Sequence, residues 1–311
     1  MPSTIFIINP AAGHGRAGRV WASFKEAALR LLPDSASAVT GQPGHASALA
    51  LEAVLAGASR VIAVGGDGTF SEALEGVMAA PEHLRRNITL GAIPAGSGCD
   101  LARHLGYPGD RDGLLDLLAR GTARPMDVGR INYSGLDGAP RQRHFMNIAA
   151  FGLAGDVAHQ IKASGKPLGG TISYFVSSVL ALLTAKAKTV RLKADGKDLS
   201  GRYHLGVLAN TSSMGGGMMI APGAKDDDGL MDLVLVSDMS RLSLMRNFPA
   251  LYKGTHLASP GITMSGVRRL EAEADETVYL NIDGEADGKL PAVFETLPRA
   301  INVIAPRGLK P

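Results

Sequence analysis

The sequence predicts an α/β domain followed by a β-sandwich domain, and three observations carry that reading. From Thr4 to Leu105 short apolar strands, glycine-rich turns and helices alternate, which is the pattern of βα units on a parallel sheet. After Gly121-Thr-Ala-Arg-Pro125, read as a linker, the pattern becomes strand-rich with hairpin turns. The length, 311 residues, is that of about two domains at ~150 residues each.

The first half is organised around Val61-Ile-Ala-Val-Gly-Gly-Asp-Gly-Thr-Phe-Ser-Glu72. Val61 to Val64 is a short β-branched run suited to a buried parallel strand. Gly65, Gly66 and Gly68 leave Asp67 the only side chain in the turn, so backbone amides can approach an anion closely. Thr69 and Glu72 stand in capping-box spacing, which predicts a helix starting at Thr69 and running to about Ala79. Strand, glycine turn and helix N-terminus together make a phosphate seat. The alternative is a plain strand-to-helix turn. No Gly-Lys-Ser/Thr follows, so this is not a P-loop, and the spacing is not that of the dinucleotide G-x-G-x-x-G.

Thr4 to Ile8 reads as a strand, then Asn9-Pro10-Ala-Ala-Gly13-His-Gly15 as a glycine-rich loop, then Gly18 to Leu32 as an amphipathic helix. Asn9 falls at the strand's carboxyl end, where ligands collect in open α/β sheets; it equally suits an Asn-Pro turn. Ser37 to Thr40 is a weak strand and His45 to Ala56 an alanine-rich helix. Thr40 again ends a strand, and His45 reads as a local contact. Leu90 to Pro94 is a strand, Ala95-Gly96-Ser97-Gly98-Cys99-Asp100 a second glycine loop, and Leu101 to Leu105 opens a helix that Asp100 would cap.

In the second half Met126 to Asn132 and His144 to Ala150 read as strands, with turns at Tyr133-Ser-Gly and Asp137-Gly138. Helices are expected from Gly152 to Lys162, Tyr174 to Lys186 and Arg241 to His256. Further strands are expected at Thr189–Ala194, Leu199–Asn210, Leu230–Val236, Arg268–Ala274, Thr277–Ile282 and Ala292–Thr296. Such antiparallel signals suggest a sandwich. Asp226-Asp227-Asp228 before Gly229 lacks the alternating ligands of an EF-hand and could be a solvated turn. Asp283-Gly284 is a turn from which Glu285 emerges with a free side chain.

Hydrophobic content of 45% and charged content of 20% are ordinary for a globular protein. A net charge of +3 suits ATP or an anionic surface but is too small and dispersed to argue for nucleic acid. The single cysteine, Cys99, excludes an internal disulfide and a Cys-based zinc site and favours the cytoplasm. Met1-Pro-Ser-Thr carries no basic n-region of a signal peptide. The longest apolar stretch, Ile172 to Ala185, has about 14 residues, fewer than the ~17–20 a membrane span needs. Membrane contact is therefore expected to be peripheral, with the helix at Tyr174–Leu183 and the bases Lys186, Lys188, Arg191 and Lys193 near an anionic bilayer, or else packed as an ordinary core helix.

Gly65-Gly66-Asp67-Gly68-Thr69 resembles the nucleotide-binding motif shared by the diacylglycerol kinase and sphingosine kinase family, NAD kinases and, more remotely, phosphofructokinases. Ala95 to Asp100 resembles the family's second nucleotide loop, usually Gly-Thr-Gly-Asn-Asp, with Ser97 in place of Thr and Cys99 in place of Asn. Gly215-Gly216-Gly217, Ala221-Pro222 and Asp227-Asp228-Gly229-Leu230-Met231-Asp232 resemble the diacylglycerol kinase branch, and NAD kinases do not carry this pattern. Asp283-Gly284-Glu285 is similar to the family's Asp-Gly-Glu. These stretches fall in family order over nearly the whole chain.

The resemblance implies a three-layer α/β nucleotide-binding domain of the NAD kinase/diacylglycerol kinase type, over 1–124. It implies a β-sandwich lipid-substrate domain over 125–297, with 298–311 returning to the first. It implies that Asn9, Thr40, Gly66, Asp67, Gly68, Thr69, Phe70, Ser71, Glu72, Gly96 and Ser97 hold ATP. Asp67 would act catalytically through Mg²⁺. The carboxylate of Asp228 and the carbonyls of Lys225 and Leu230 would hold a separate, structural Mg²⁺, and Glu285 would be the proton acceptor. The activity implied is transfer of the γ-phosphate to a primary hydroxyl of diacylglycerol or a relative. The partner is a lipid at the inner membrane surface, and a homodimer stays open. An NAD kinase-like enzyme with a soluble substrate and a nucleotide-binding module without turnover are the alternatives.

Overall fold

A computed structural model describes residues 2–96, 98–163 and 186–307. The chain forms two compact units, Met1–Met126 with Arg299–Pro311, and Asp127–Pro298. Ser97 and most of the helix expected at Tyr174–Lys186 lie outside the described residues.

The first unit opens with β1 (Thr4–Ile8), α1 (Ala12–Leu31), β2 (Ser35–Val39), α2 (His45–Leu55), β3 (Arg60–Gly65) and α3 (Asp67–Ala79). It continues with the one-turn α4 (Glu82–Arg85), β4 (Thr89–Pro94), α5 (Asp100–His104) and α6 (Arg111–Arg120). The strands pair in parallel in the order β4-β3-β1-β2. Residues Asn302 and Val303, near the chain's end, pair in parallel with Thr89 and Leu90 on the outer side of β4.

Parallel strands buried on both faces need no polar alternation. Phe6, Ile8, Ile62, Val64 and Ile93 accordingly face one side, where they pack with Trp21 and Phe24 of α1 and with the leucines of α6. Helices α2 and α3 cover the other side. Their contact is close: a Cβ on Gly76 would fall within hard-sphere distance of the Ser47 carbonyl oxygen. Helix, sheet and helix make the three layers expected from the sequence.

Several elements differ from expectation. The regular part of α1 starts after Gly15, because Gly13, His14 and Gly15 have positive φ. Helix α6 was not expected from the sequence, although Pro108-Gly109 marks a turn before it and the Asp110 side chain caps it by accepting the Gly113 N–H at 2.8 Å. Gly121 to Pro125 is not a linker: strand β5 (Thr122–Gly135) begins there and carries the chain from the first unit into the second.

The second unit continues with β6 (Pro140–Phe145), β7 (Ile148–Gly152), α7 (Leu153–Ala163), β8 (Lys188–Ala194), β9 (Lys197–Asp198) and β10 (Gly201–Ala209). Then come β11 (Met231–Ser237), α8 (Arg241–Lys253), a 3₁₀ turn (His256–Ala258), β12 (Ile262–Val267), β13 (Arg269–Glu273), β14 (Leu280–Ile282) and β15 (Gly288–Ala305). The strand expected over His144–Ala150 is two strands, broken at Met146-Asn147. The helix expected to run to His256 stops at Lys253, where Gly254 adopts φ +66. Strand β12 was not expected: Thr263, Ser265 and Gly266 leave it without a continuous apolar run.

One sheet runs β12-β11-β10-β7-β14, all antiparallel. The first residues of β10 pair instead with β8, which pairs with β13, and β13 with β15. The register breaks between Tyr203 and Leu205, so β10 bends from one sheet to the other, as bulged strands do at sandwich corners. Side chains on a strand alternate between faces. Leu208, Leu233, Leu235, Ala149 and Phe151 enter the sandwich interior with Leu192, Leu270 and Phe294. Their neighbours Val207, Ala209, Val234, Val236, Ile148 and Ala150 face the other way. There they meet Met214, Met218 and Ile220 and Leu244 of α8. The central sheet is thus buried on both faces, which is why its strands read as continuous apolar runs.

The Gly76 contact gives a test of the α2–α3 packing. In an open helix Gly→Ala gains up to about 1 kcal/mol. Here overpacking reverses the sign, and Gly76→Ala should lower stability by about 1–3 kcal/mol in urea unfolding; a stabilised variant would contradict the packing.

Candidate functional site

The carboxyl ends of β1, β3 and β4 bring three loops together in the first unit. The N–H of Asn9 donates to the Val64 carbonyl at 3.0 Å. Its side-chain oxygen accepts the Ala11 N–H at 3.2 Å, closing an Asx turn, and its Nδ2 donates to Thr69 Oγ1 at 3.1 Å. A Cβ on Gly96 would lie 2.5 Å from the Gly66 Cα, so the two glycine loops touch backbone to backbone and only glycine fits. Gly68 has open space at its Cα, and it lies in the first turn of α3, where amides lack intrahelical partners.

The helix after the first glycine loop starts two residues earlier than expected, with Gly66 as N-cap and no side-chain cap. Thr69 and Glu72 do not form a capping box. The Thr69 hydroxyl accepts from Asn9, and the Glu72 carboxylate accepts the Ala46 N–H at 3.2 Å, capping α2 instead. Phe70 and Ser71 are buried within α3. Thr40 continues β2 through its N–H bond to the Ile8 carbonyl at 2.8 Å. His45 is a local contact, its Nδ1 accepting the Gly41 N–H at 3.0 Å.

Asp67 has a structural task that sequence reasoning missed. Its carboxylate accepts the N–H groups of Asp100 at 3.1 Å and Leu101 at 3.4 Å. It therefore occupies the amide seat at the start of α5 and ties the second loop to the first. Burial pushes its carboxyl above the usual range, against those amides. Asp100 is not the N-cap of α5; Cys99 is, with φ +53, and Asp100 pairs with Arg103. Burial and the charge of Asp67 push the Cys99 thiol up, so it stays protonated at neutral pH.

In the second unit Asp283 and Gly284 have φ of +47 and +94, the left-handed pair of a tight primed hairpin turn. Ile282 and Glu285 exchange N–H···O bonds of 2.9 and 3.0 Å across it. The Gly284 N–H donates to Asn281 Oδ1 at 2.8 Å. The Asp283 carboxylate accepts three amides from the break between β6 and β7: Met146 at 3.1 Å, Asn147 at 3.0 Å and Ile148 at 3.0 Å. Glu285 thus stands exposed on a turn that is pinned at its base.

The Asp226–Asp228 segment is more than a solvated turn. Asp226 is buried, and its carbonyl accepts the Asp127 N–H at 2.7 Å. The fully buried Asp127 carboxylate accepts the Gly229 N–H at 2.6 Å. Asn210, also fully buried, donates from Nδ2 to the carbonyls of Asp127 at 2.9 Å and Met146 at 3.0 Å. A polar chain therefore links the Asp228 loop, through Asp127, Asn210 and Met146, to the amides that hold Asp283. Sequence reading gave Asp127 no role and took Asn210 only as the end of a strand, since neither side chain's partner is near it in the chain.

Asp228 is exposed and accepts the Leu230 N–H at 3.0 Å; Lys225 is exposed and Leu230 half-buried. Burial, and then the charge of Asp228, pushes the Asp232 carboxyl up. Carboxylate and carbonyl oxygens beside two mutually repelling acids fit a hard cation. Among the described residues no three His, Cys, Asp or Glu side chains converge on one point, so an ion held here would have to use backbone oxygens beside a carboxylate.

On the outer face of the central sheet lies an apolar cavity of about 100 Å³. Leu153, Ala154 and Val157 of α7, Met214, Met218 and Ile220, and Leu244, Phe248 and Leu251 of α8 line it. His204 and His256 are its buried polar members. Their Nε2 atoms bond to the Met239 and Ile220 carbonyls, each at 3.0 Å. Burial lowers the His256 pKa, which keeps that wall uncharged.

Residues 3–131 match the diacylglycerol kinase catalytic domain model, and residues 147–305 match the YegS C-terminal NAD kinase beta sandwich-like domain model. A diacylglycerol kinase of Bacillus subtilis is 30% identical over 308 residues, 97% of this chain and 95% of that protein. A diacylglycerol kinase of Staphylococcus aureus is 32% identical over 249 residues, 80% of this chain and 75% of that protein. Among solved structures, that of a putative diacylglycerol kinase from Bacillus anthracis covers 99% of both chains with a TM-score of 0.79 at 23% identity. A yeast NADH kinase complexed with NADH aligns over 98% of this chain and 83% of its own, with a TM-score of 0.51 at 12% identity. At these identities the two structures speak to the fold alone.

Asp283 gives this site a pH signature. Burial pushes its carboxyl up to about 6, against the three amides and Arg143. A carboxyl raised in the fold stabilises it below the unfolded pKa near 4, and that contribution is lost as pH rises through about 6. Relative to Asp283→Asn, the wild type should lose about 1–3 kcal/mol between pH 4 and pH 7. Urea midpoints across that range measure it; a constant difference would contradict the burial.

Proposed function

The chain belongs to the diacylglycerol kinase family, and from that premise we propose that it transfers the γ-phosphate of ATP to a primary hydroxyl of diacylglycerol or a closely related lipid. The observation that carries the lipid acceptor is the apolar cavity in the sandwich unit. An acyl chain gains about 0.8 kcal/mol for each methylene it buries, whereas a soluble dinucleotide would leave its charges and hydroxyls unpaired against such walls.

The hydroxyl oxygen attacks the γ-phosphorus, the bond to the β-phosphate oxygen breaks, ADP leaves, and the hydroxyl proton passes to Glu285. Glu285 suits this task because it is exposed on a turn whose backbone Asp283 and Asn281 hold. The first turn of α3, with Gly66 and Gly68, supplies amides and the positive end of a helix dipole for the phosphates. Asn9 and Thr69 hold that turn against the first loop. Asp67 contributes by fixing the second loop at Asp100 and Leu101. The Asp228 carboxylate and the carbonyls of Lys225 and Leu230 are the groups that would hold Mg²⁺, which supplies positive charge to order that loop.

Glu285→Gln should reduce transfer from labelled ATP to dispersed diacylglycerol by about 10²–10⁴-fold. ATP affinity, read by titration calorimetry, should stay within about twofold, since general-base loss acts on turnover and not on binding. Undiminished turnover in this variant would remove Glu285 from the mechanism.

A further inference from the structure

Helix α8 is apolar on two faces. Its inner face carries Leu244, Phe248 and Leu251, which line the cavity. Its outer face carries Leu242, Met245 and Tyr252, exposed by 68%, 45% and 39%, together with the exposed Pro249. A solvated helix ordinarily has a polar outer face. At about 100° per residue these four fall in a stripe roughly 80° wide. Arg241 flanks the stripe on one side, and Arg246 and Lys253 flank it on the other. The helix contains no acidic residue. Among the described residues none of its three cations is in an ion pair, and the carboxylate just before it, Asp238, pairs with Arg202.

From this arrangement we propose that α8 lies in the interfacial plane of an anionic bilayer, with Leu242, Met245, Pro249 and Tyr252 among the acyl chains and Arg241, Arg246 and Lys253 at the phosphates. An apolar stripe edged by cations is the composition that binds such a surface. Three cations and no anion favour an anionic bilayer over a neutral partner surface. The same helix roofs the cavity assigned above to the acyl chain, so docking would set the cavity's roof at the level of the lipid. This inference deepens the lipid-kinase reading and rests on it for the identity of the cavity's occupant.

The test is co-sedimentation of the full chain, without ATP, with vesicles rich in phosphatidylglycerol and with vesicles of phosphatidylcholine alone, at about 0.15 M salt. The wild type should prefer the anionic vesicles. Leu242→Ser/Met245→Ser and, separately, Arg241→Gln/Arg246→Gln/Lys253→Gln should each weaken that binding by at least about tenfold. All the altered residues are exposed, so circular dichroism should be unchanged, as should transfer to a short-chain diacylglycerol in detergent. Equal vesicle binding by wild type and both variants overturns the proposal. So does a wild type that ignores anionic vesicles while still phosphorylating lipid, an outcome that leaves the kinase reading standing. Self-association lost in the variants with vesicle binding intact would assign the stripe to a second copy and overturn it too. Vesicle binding that depends on α8 in a chain that phosphorylates no lipid supports the docking and removes the kinase reading.

Discussion

Buried and half-buried carboxylates that accept backbone amides hold the functional loops of this protein. Where a chain leaves a strand its N–H groups lose their ladder partners, and buried amides must be satisfied. Asp67 satisfies Asp100 and Leu101, Asp127 satisfies Gly229, and Asp283 satisfies Met146, Asn147 and Ile148. Charge-assisted bonds of this kind are stronger than neutral ones, and they fix a loop without covering its outer surface. Their cost is desolvation, which appears as the raised carboxyls of Asp67 and Asp283. The loops so held carry Gly96, Asp228 and Glu285, the positions where phosphate, cation and proton chemistry is expected.

The sequence displayed what depends on local geometry. A β-branched run, glycines and a helix were legible at Val61 to Ala79 because each follows from backbone sterics within a few residues. The Asp283-Gly284 turn was legible for the same reason. What depended on distant partners was not. Thr69 and Glu72 have capping-box spacing, but Asn9 and Ala46 claim their side chains, so the tertiary contacts won. Gly121 to Pro125 looked like a linker, since composition does not show that a strand begins there. Asp127 and Asn210 became significant only when the chain between them folded and buried both.

The cavity was equally invisible, because it arises from two registers at once. Strands β7, β10 and β11 send alternate residues to opposite faces. The face turned away from the sandwich interior is covered by α7, α8 and the Met214–Ile220 segment. A continuous apolar run announces that a strand is buried on both sides but not what covers it. The same folding step leaves α8 with an inner face on the cavity and a cation-edged apolar face outside.

The central claim is that this chain is a kinase whose acceptor is a lipid hydroxyl and not a soluble dinucleotide. The most direct measurement offers labelled ATP with diacylglycerol dispersions and NAD in one mixture and follows where the label goes. The account predicts labelled lipid and unlabelled NAD. Label on NAD, or ATP bound without transfer to either acceptor, would contradict it.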